Sequence, residues 1–320
     1  MHIVLASDTN YAEFVAVMMT SALANNTDYI HFHLLSNGID DFTIHRLKAQ
    51  IPFGKGELNT YDIRNLPAKL PVRVPDTIAI SSYARLFLTS ILPDSIAKVL
   101  YLDCDTVVAD DLAELWDTPL QDSYLAGVLD TLPDNESKLN VGLSTDAPYI
   151  NAGVLLINLD LWREDNLQQR FLDFLLAHNG QVHHHDQGII NGVCRGKIAI
   201  VHPRYNCTSN YFSHPYYLLR RTNNPFYTRQ ECEEATSHPA ILHFTEGFYN
   251  RPWITNSLHP MASVYHYYHN MTPWSNTPLR KDKRTRLVRF LSWEFLHLPY
   301  PIYDFSAKCV TRIAKLIKRP

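Results

Sequence analysis

The chain has 320 residues, 46% of them hydrophobic, with 19 prolines and 11 glycines. That composition supports a full globular core and argues against a fibrous or disordered chain. Five scattered cysteines without a Cys-x-x-Cys pair argue against a disulfide framework or a zinc ribbon and fit a reducing compartment. The formal net charge of −3 hides an asymmetry: from Arg280 onward eleven basic and three acidic residues give +8, leaving −11 on the body.

Apolar patterning predicts alternating strands and helices. His2–Ser7 reads as a first strand, without the basic start and long apolar core of a secretory leader. Asp8 can cap a helix over about 11–23, with Phe14, Val17, Met18 and Ser21 at helical spacing. A strand is expected at 30–35, a helix at 39–50 and a strand at 58–61. An amphipathic helix over 81–92 ends at Pro93. Strands follow at 99–102, 125–129 and 154–159, then a helix over 161–178 and short strands at 198–201 and 240–244. No apolar run is long enough to cross a bilayer. Such alternation predicts an α/β fold, with a mostly parallel sheet flanked by helices.

The chemistry concentrates at strand ends. Val99-Leu100-Tyr101-Leu102 runs into Asp103-Cys104-Asp105. Alternating side chains put both carboxylates on one side of an extended chain, at the sheet edge where α/β proteins bind ligands. Paired carboxylates suit a hard cation such as Mg²⁺ or Mn²⁺ gripping a diphosphate; two solvated aspartates at a corner are the alternative. The first loop, Asp8-Thr9-Asn10-Tyr11, has no glycine-rich phosphate cradle, so a phosphate there needs a cation. Asn151-Ala152-Gly153, read as a turn before a strand, permits close backbone approach. His183-His184-His185 is a poor metal site, because sequence neighbours point apart. Asp186 and Gln187 either cap the next helix or face a pocket. His243, ending a short strand, would favour Mn²⁺ as a third ligand, since that ion accepts nitrogen with oxygen.

Six segments occur in order: Asp8–Tyr11, Ser82–Leu86, Val99–Asp105, Asn151–Asn158, His185–Gln187 and His243–Trp253. Together they resemble glycosyltransferase family 8, most of all its bacterial retaining hexosyltransferases that build lipopolysaccharide or lipooligosaccharide. The resemblance covers about residues 1–255. It implies a GT-A fold, a UDP-galactose or UDP-glucose donor, and Mn²⁺, with Mg²⁺ possible, on Asp103, Asp105 and His243. It places the nucleotide on Ala6, Asp8, Asn10, Tyr11, Ile78, Ala79, Asp103, Cys104, His243, Gly247 and Arg251. It places the donor sugar on Arg85, Asp103, Asn151, Asp186 and Gln187, with Asp130 on the acceptor side. Gln187, Asp186 and Asp130 are the expected catalytic residues. Two departures stand out: Gly188 where the family often has a second Asp, and a longer span from His243 to Arg251, which replaces a lysine.

Residues 256–320 are expected to form a basic helical segment that associates with membrane. Lys308, Arg312, Lys315 and Arg319 fall on one helical side, with Val310, Ile313, Ala314 and Ile317 on the other. Each basic residue near an anionic surface contributes ~1 kcal/mol. The expected location is the cytoplasm, peripherally attached to the inner face of the membrane, with a lipid-linked or oligosaccharide acceptor and no nucleic acid. A helix packed on its own acidic body is the alternative. Two other readings of the whole chain remain: a haloacid-dehalogenase-type phosphatase with Asp103 as nucleophile, and a non-catalytic, membrane-associated sugar-binding protein.

Overall fold

The structure is a computed structural model that describes residues 1–73, 80–131, 133–221, 223 and 226–317; of Ile80 and residues 311–317 only the backbone is described. Ten strands occur among these residues: β1 (His2–Asp8), β2 (Ile30–Asn37), β3 (Gly56–Asp62), β4 (Lys98–Leu102), β5 (Thr106–Val108), β6 (Leu125–Leu129), β7 (Ile150–Asn158), β8 (Ile198–Ile200), β9 (Cys207–Thr208) and β10 (Ile241–His243). Seven form one sheet in the order β3-β2-β1-β4-β7-β6-β8, and β5-β10-β9 form a small second sheet. In the large sheet only β7 runs antiparallel to its neighbours β4 and β6. The expectation of a mostly parallel α/β sheet holds.

The central strands are apolar on both faces because both faces are covered. Leu100 and Leu102 of β4 enter one core, while Val99 and Tyr101 enter the other. Helix Ala12–Asn25 is buried along nearly its whole surface, which its weak amphipathicity reflects. The small sheet and helix Ala262–His269 cover the side that would otherwise face water. Val108 N–H donates to Ser21 Oγ at 3.0 Å, and Asn25 Nδ2 donates to the Tyr268 hydroxyl at 2.6 Å.

Residues 256–280 are packed on the body. Tyr265 and Tyr268 sit in the core, and Arg280 exchanges backbone hydrogen bonds with Trp253 and Thr255 at 2.8 Å each. A unit ending at residue 255 would leave those core tyrosines outside it. Beyond Arg280, helices Arg286–His297 and Tyr300–Ile317 follow. Among the described residues no helix is long and apolar enough to cross a membrane.

Three elements depart from their expected form. The helix expected over 81–92 is broken into Ile80–Tyr83, a 3-10 turn at Ala84–Phe87 and Leu88–Ile91. The helix expected over 161–178 breaks at Asn166, which takes a left-handed φ of 50°. Strand β7 begins at Ile150, so Asn151-Ala152-Gly153 lies within a strand rather than in a turn before it.

Candidate active site

The site forms where β4 ends and antiparallel β7 begins. Asp103 N–H donates to Gly153 O at 2.8 Å, and Thr106 closes a tight turn by donating Oγ1 to Asp103 O at 2.7 Å. That turn feeds β5, whose Thr106 lies opposite His243 of β10. The register therefore brings Asp105 to His243, with 3.2 Å between Asp105 Oδ1 and His243 Nε2. Asp103, Asp105 and His243 each offer a ligand atom, all within 4.8 Å of one another. Among the described residues no other cluster of histidine, cysteine or acidic side chains converges in this way. His184 instead pairs its Nδ1 with the Tyr149 hydroxyl at 3.0 Å.

Gly153 forms the floor beneath these groups. A Cβ there would lie 2.2 Å from His243 Cε1 and 2.9 Å from Asp103 Oδ2, so no side chain fits. His243 is aimed by Asn206. Asn206 Nδ2 donates to Asn151 Oδ1 at 2.9 Å, which leaves Asn206 Oδ1 to accept from His243 Nδ1 at 2.8 Å. Nε2 is thereby directed at Asp105. Asn151 Oδ1 also accepts from Gly153 N–H at 3.0 Å. Asn206 was not foreseen; it ends a 3-10 turn (Pro203–Asn206) far in sequence from both partners.

Two arginines face the carboxylate pair. Arg85 is only 4% exposed. It donates to Asp103 Oδ1 at 2.7 Å, lies 2.9 Å from Asp186 Oδ2, and also donates to Ala152 O and Ser82 O. Burial alone would lower its pKa, but Asp103, Tyr101 and Asp186 outweigh burial and raise it. Arg251 stands 3.4 Å from Asp105 Oδ2, and its buried Nε has no partner. Burial would raise Asp105, yet His243 and Arg251 hold it below the usual carboxylate range. Burial likewise disfavours charge on His243, and Asp105 overcomes that to raise its pKa.

Helix His185–Val193 supplies Asp186 and Gln187 in its first turn. Burial lifts Asp186 to about 6, partly opposed by Arg85 and reinforced by Asp103. Gln187 is held at both ends of its amide: Oε1 accepts from Ala152 N–H at 3.0 Å, and Nε2 donates to Asp130 Oδ2 at 2.8 Å. Asp130 follows β6 and is anchored through its N–H to Tyr149 O.

A cavity of about 200 Å³ opens beside the carboxylate pair, lined in part by Ala6, Asp8, Tyr11, Arg85, Asp103, Cys104 and Asp105. Tyr11 also borders a second cavity of about 560 Å³ that includes Gly247, Arg251 and the cations Arg280, Lys281, Lys283 and Arg284. The structure thus groups most of the expected nucleotide residues. Asn10 contributes its carbonyl to Arg280 Nη2 at 2.8 Å. A Cβ at Gly247 would meet only Asn210 Oδ1, at 3.6 Å, so crowding does not demand glycine there. Ile78 and Ala79 lie outside the described residues. Cys104 donates its thiol to Ala6 O, and burial pushes that thiol up, away from nucleophilic chemistry.

Comparison with known proteins agrees with this geometry. A family model described as glycosyl transferase family 8 matches residues 2–257. A relative from Haemophilus influenzae is 34% identical over 216 residues, covering 65% of this chain; the chain spans only 63% of that relative's length. A lipopolysaccharide 1,2-glucosyltransferase of Escherichia coli is 26% identical over 280 residues, covering 86% of this chain and 79% of its own. The crystal structure of galactosyltransferase LgtC with donor and acceptor sugar analogues superposes with a TM-score of 0.71 at 28% identity, covering 85% of this chain and 96% of the other. The architecture is the GT-A fold. The phosphatase reading falls away, since Asp103 follows the fourth strand and is clamped by Arg85. The chain belongs to glycosyltransferase family 8.

Proposed function

We propose that the protein moves a hexose, galactose or glucose, from a UDP-sugar to a saccharide acceptor of the lipopolysaccharide or lipooligosaccharide kind, with retention of anomeric configuration. One observation carries this reading: two carboxylates and an imidazole converge over a glycine floor, beside an arginine with an unpartnered buried N–H. The donor set fits Mn²⁺, or Mg²⁺, on Asp103, Asp105 and His243. When bound, such an ion supplies Lewis-acid neutralisation of the diphosphate.

The chain's own residues do the rest. Arg251 meets charge growing on the departing UDP, with a fork suited to phosphate oxygens. Arg85 holds Asp103 and Asp186 in place. Asp186 binds sugar hydroxyls and offsets positive charge developing on the ring. Gln187 lies beneath the anomeric carbon, its amide fixed between Ala152 and Asp130. An amide oxygen already accepting a hydrogen bond is a weak nucleophile, which favours front-face attack over a covalent intermediate. The departing phosphate then takes the acceptor proton.

The tail reading belongs to the same proposal. Leu287, Phe290, Trp293, Ile302 and Phe305 are exposed among basic residues, which suits a helix pair resting on an anionic inner-membrane surface. The tail side chains from residue 311 onward lie outside the described residues.

The test is a panel of nucleotide sugars with and without Mn²⁺ and chelator. UDP-hexose turnover is expected only with the metal, and Asp105→Asn is expected to abolish it while leaving the protein folded, with a lower melting midpoint from the lost pairing with His243 and Arg251. Full turnover by Asp105→Asn would overturn the metal assignment. No turnover with any UDP-sugar would favour a sugar-binding protein.

A further inference from the structure

A cleft of about 510 Å³ lies between the body and the tail helices, away from the donor cavities. Its walls are aromatic. Phe248 and Phe295 lie face to face, with centroids 3.6 Å apart and planes at 9°. Tyr303 stands perpendicular to both rings beside the stack, at 5.3 and 4.8 Å, and His214 packs 4.7 Å from Phe295. Burial pushes the His214 imidazole down to about 4, so this wall stays neutral. The polar groups stand at the edge: Asp134, Asn135 and Arg221 are exposed, with the two charges opposite in sign, and Tyr300 is half-buried.

The cleft lies within reach of Asp130, the residue that the family resemblance assigns to the acceptor side. Asp130, which holds Gln187, is four residues from Asp134 at the cleft, a reach of at most about 14 Å along the chain. A second link runs through Thr131, whose Oγ1 accepts from Asn210 Nδ2 at 2.8 Å, to the short helix that ends at His214. A groove with aromatic walls and a few polar groups at its edge suits a sugar ring, whose C–H groups meet the aromatics and whose hydroxyls meet the edge.

We infer that this cleft is a subsite for the acceptor saccharide beyond the ring that receives the hexose. The inference rests on the transferase reading above and adds that tail residues Phe295, Tyr300 and Tyr303 help choose the acceptor. It commits to a neutral oligosaccharide rather than to lipid.

The test compares two soluble acceptors in the full-length chain: a methyl hexoside that accepts the sugar, and a tetrasaccharide ending in the same ring. The variants are Asn135→Ala and Arg221→Ala, both at exposed positions, and Tyr303→Phe, which keeps the ring packing. Each is expected to raise KM for the tetrasaccharide about 2- to 10-fold, the worth of one net hydrogen bond. KM for the methyl hexoside and the rate of UDP-hexose hydrolysis are expected to stay unchanged. Equal KM changes for the two acceptors, or none for either, would overturn the subsite. So would a loss of affinity for anionic vesicles with oligosaccharide kinetics intact, which would give the cleft to lipid. Absence of UDP-hexose hydrolysis in the unaltered protein is a separate result, and it would remove the transferase reading itself.

Discussion

Arg85 and Arg251 flank the same pair of carboxylates and are held in opposite ways. Arg85 is buried, and its fork is spent on Asp103, Asp186 and two backbone carbonyls. Arg251 has a side chain 27% exposed, a 3.4 Å contact with Asp105, its guanidinium 5.6 Å over the Trp253 ring, and a buried Nε without a partner. A buried cation whose hydrogen bonds are all used fixes geometry, while a cation with donors to spare is ready for an incoming anion. The difference separates scaffold from substrate grip within one site.

The sharpest way to break that contrast is Arg85→Met. It strands buried Asp186 and half-buried Asp103, so a loss of about 3–5 kcal/mol in stability is expected together with activity. Thermal and urea unfolding would measure it, and an unchanged midpoint would refute the scaffold role. Arg251→Met should do the reverse. Stability should fall less than for Arg85→Met, because Asp105 keeps His243 as a partner, while kcat falls by about 10²- to 10³-fold, as when one preorganised charge-stabilising donor is deleted. Steady-state kinetics beside a melting curve separates the two arginines.

Between these lies Asn206→Ala. Partners that orient a metal-binding histidine are worth about 10- to 100-fold in affinity or activity. Titration of Mn²⁺ against activity should show that loss, with UDP affinity in the absence of metal unchanged. The smallest effect is with pH. Asp186 titrates near 6, above its ordinary value because of burial. Its negative charge is therefore lost as pH falls through 6, and the rate should drop about tenfold by pH 5. The fold should not weaken on this account. A carboxyl whose folded pKa is raised binds its proton more tightly when folded, so its protonation stabilises the native state. Asp186→Asn should remove this acid limb of the rate profile.

Much of the site is legible in the sequence because strand ends carry it. Asp103 and Asp105 follow an apolar run, His243 ends another, and Gly153 announces close backbone approach. What escapes is what tertiary packing decides. Asn206 lies 55 residues from Asn151 and 37 from His243, and no periodicity links them. The helix expected over 81–92 fails because a 3-10 turn at Ala84–Phe87 carries Arg85 inward, where its carboxylate partners outweigh local helix preference. Asn151-Ala152-Gly153 has the composition of a turn, yet β7 enters the sheet at the ligand edge and uses that backbone for pairing. The body's boundary is blurred for a similar reason: Tyr265 and Tyr268 lie in a segment whose charge and spacing do not advertise a core role.

Helix Ala12–Asn25 has a consequence for how the protein is made. Its outer side is closed by Tyr268, through Asn25, and by Arg280, whose guanidinium reaches Asn10 and stacks 4.5 Å over Phe14. Those partners are translated more than 240 residues later. At ~5–20 residues per second, the apolar helix waits on the order of tens of seconds for its cover. During that interval the nascent chain presents Phe14 and its neighbours to whatever chaperones attend the ribosome, and ribosomes stalled before Arg280 should leave chains that are captured or degraded.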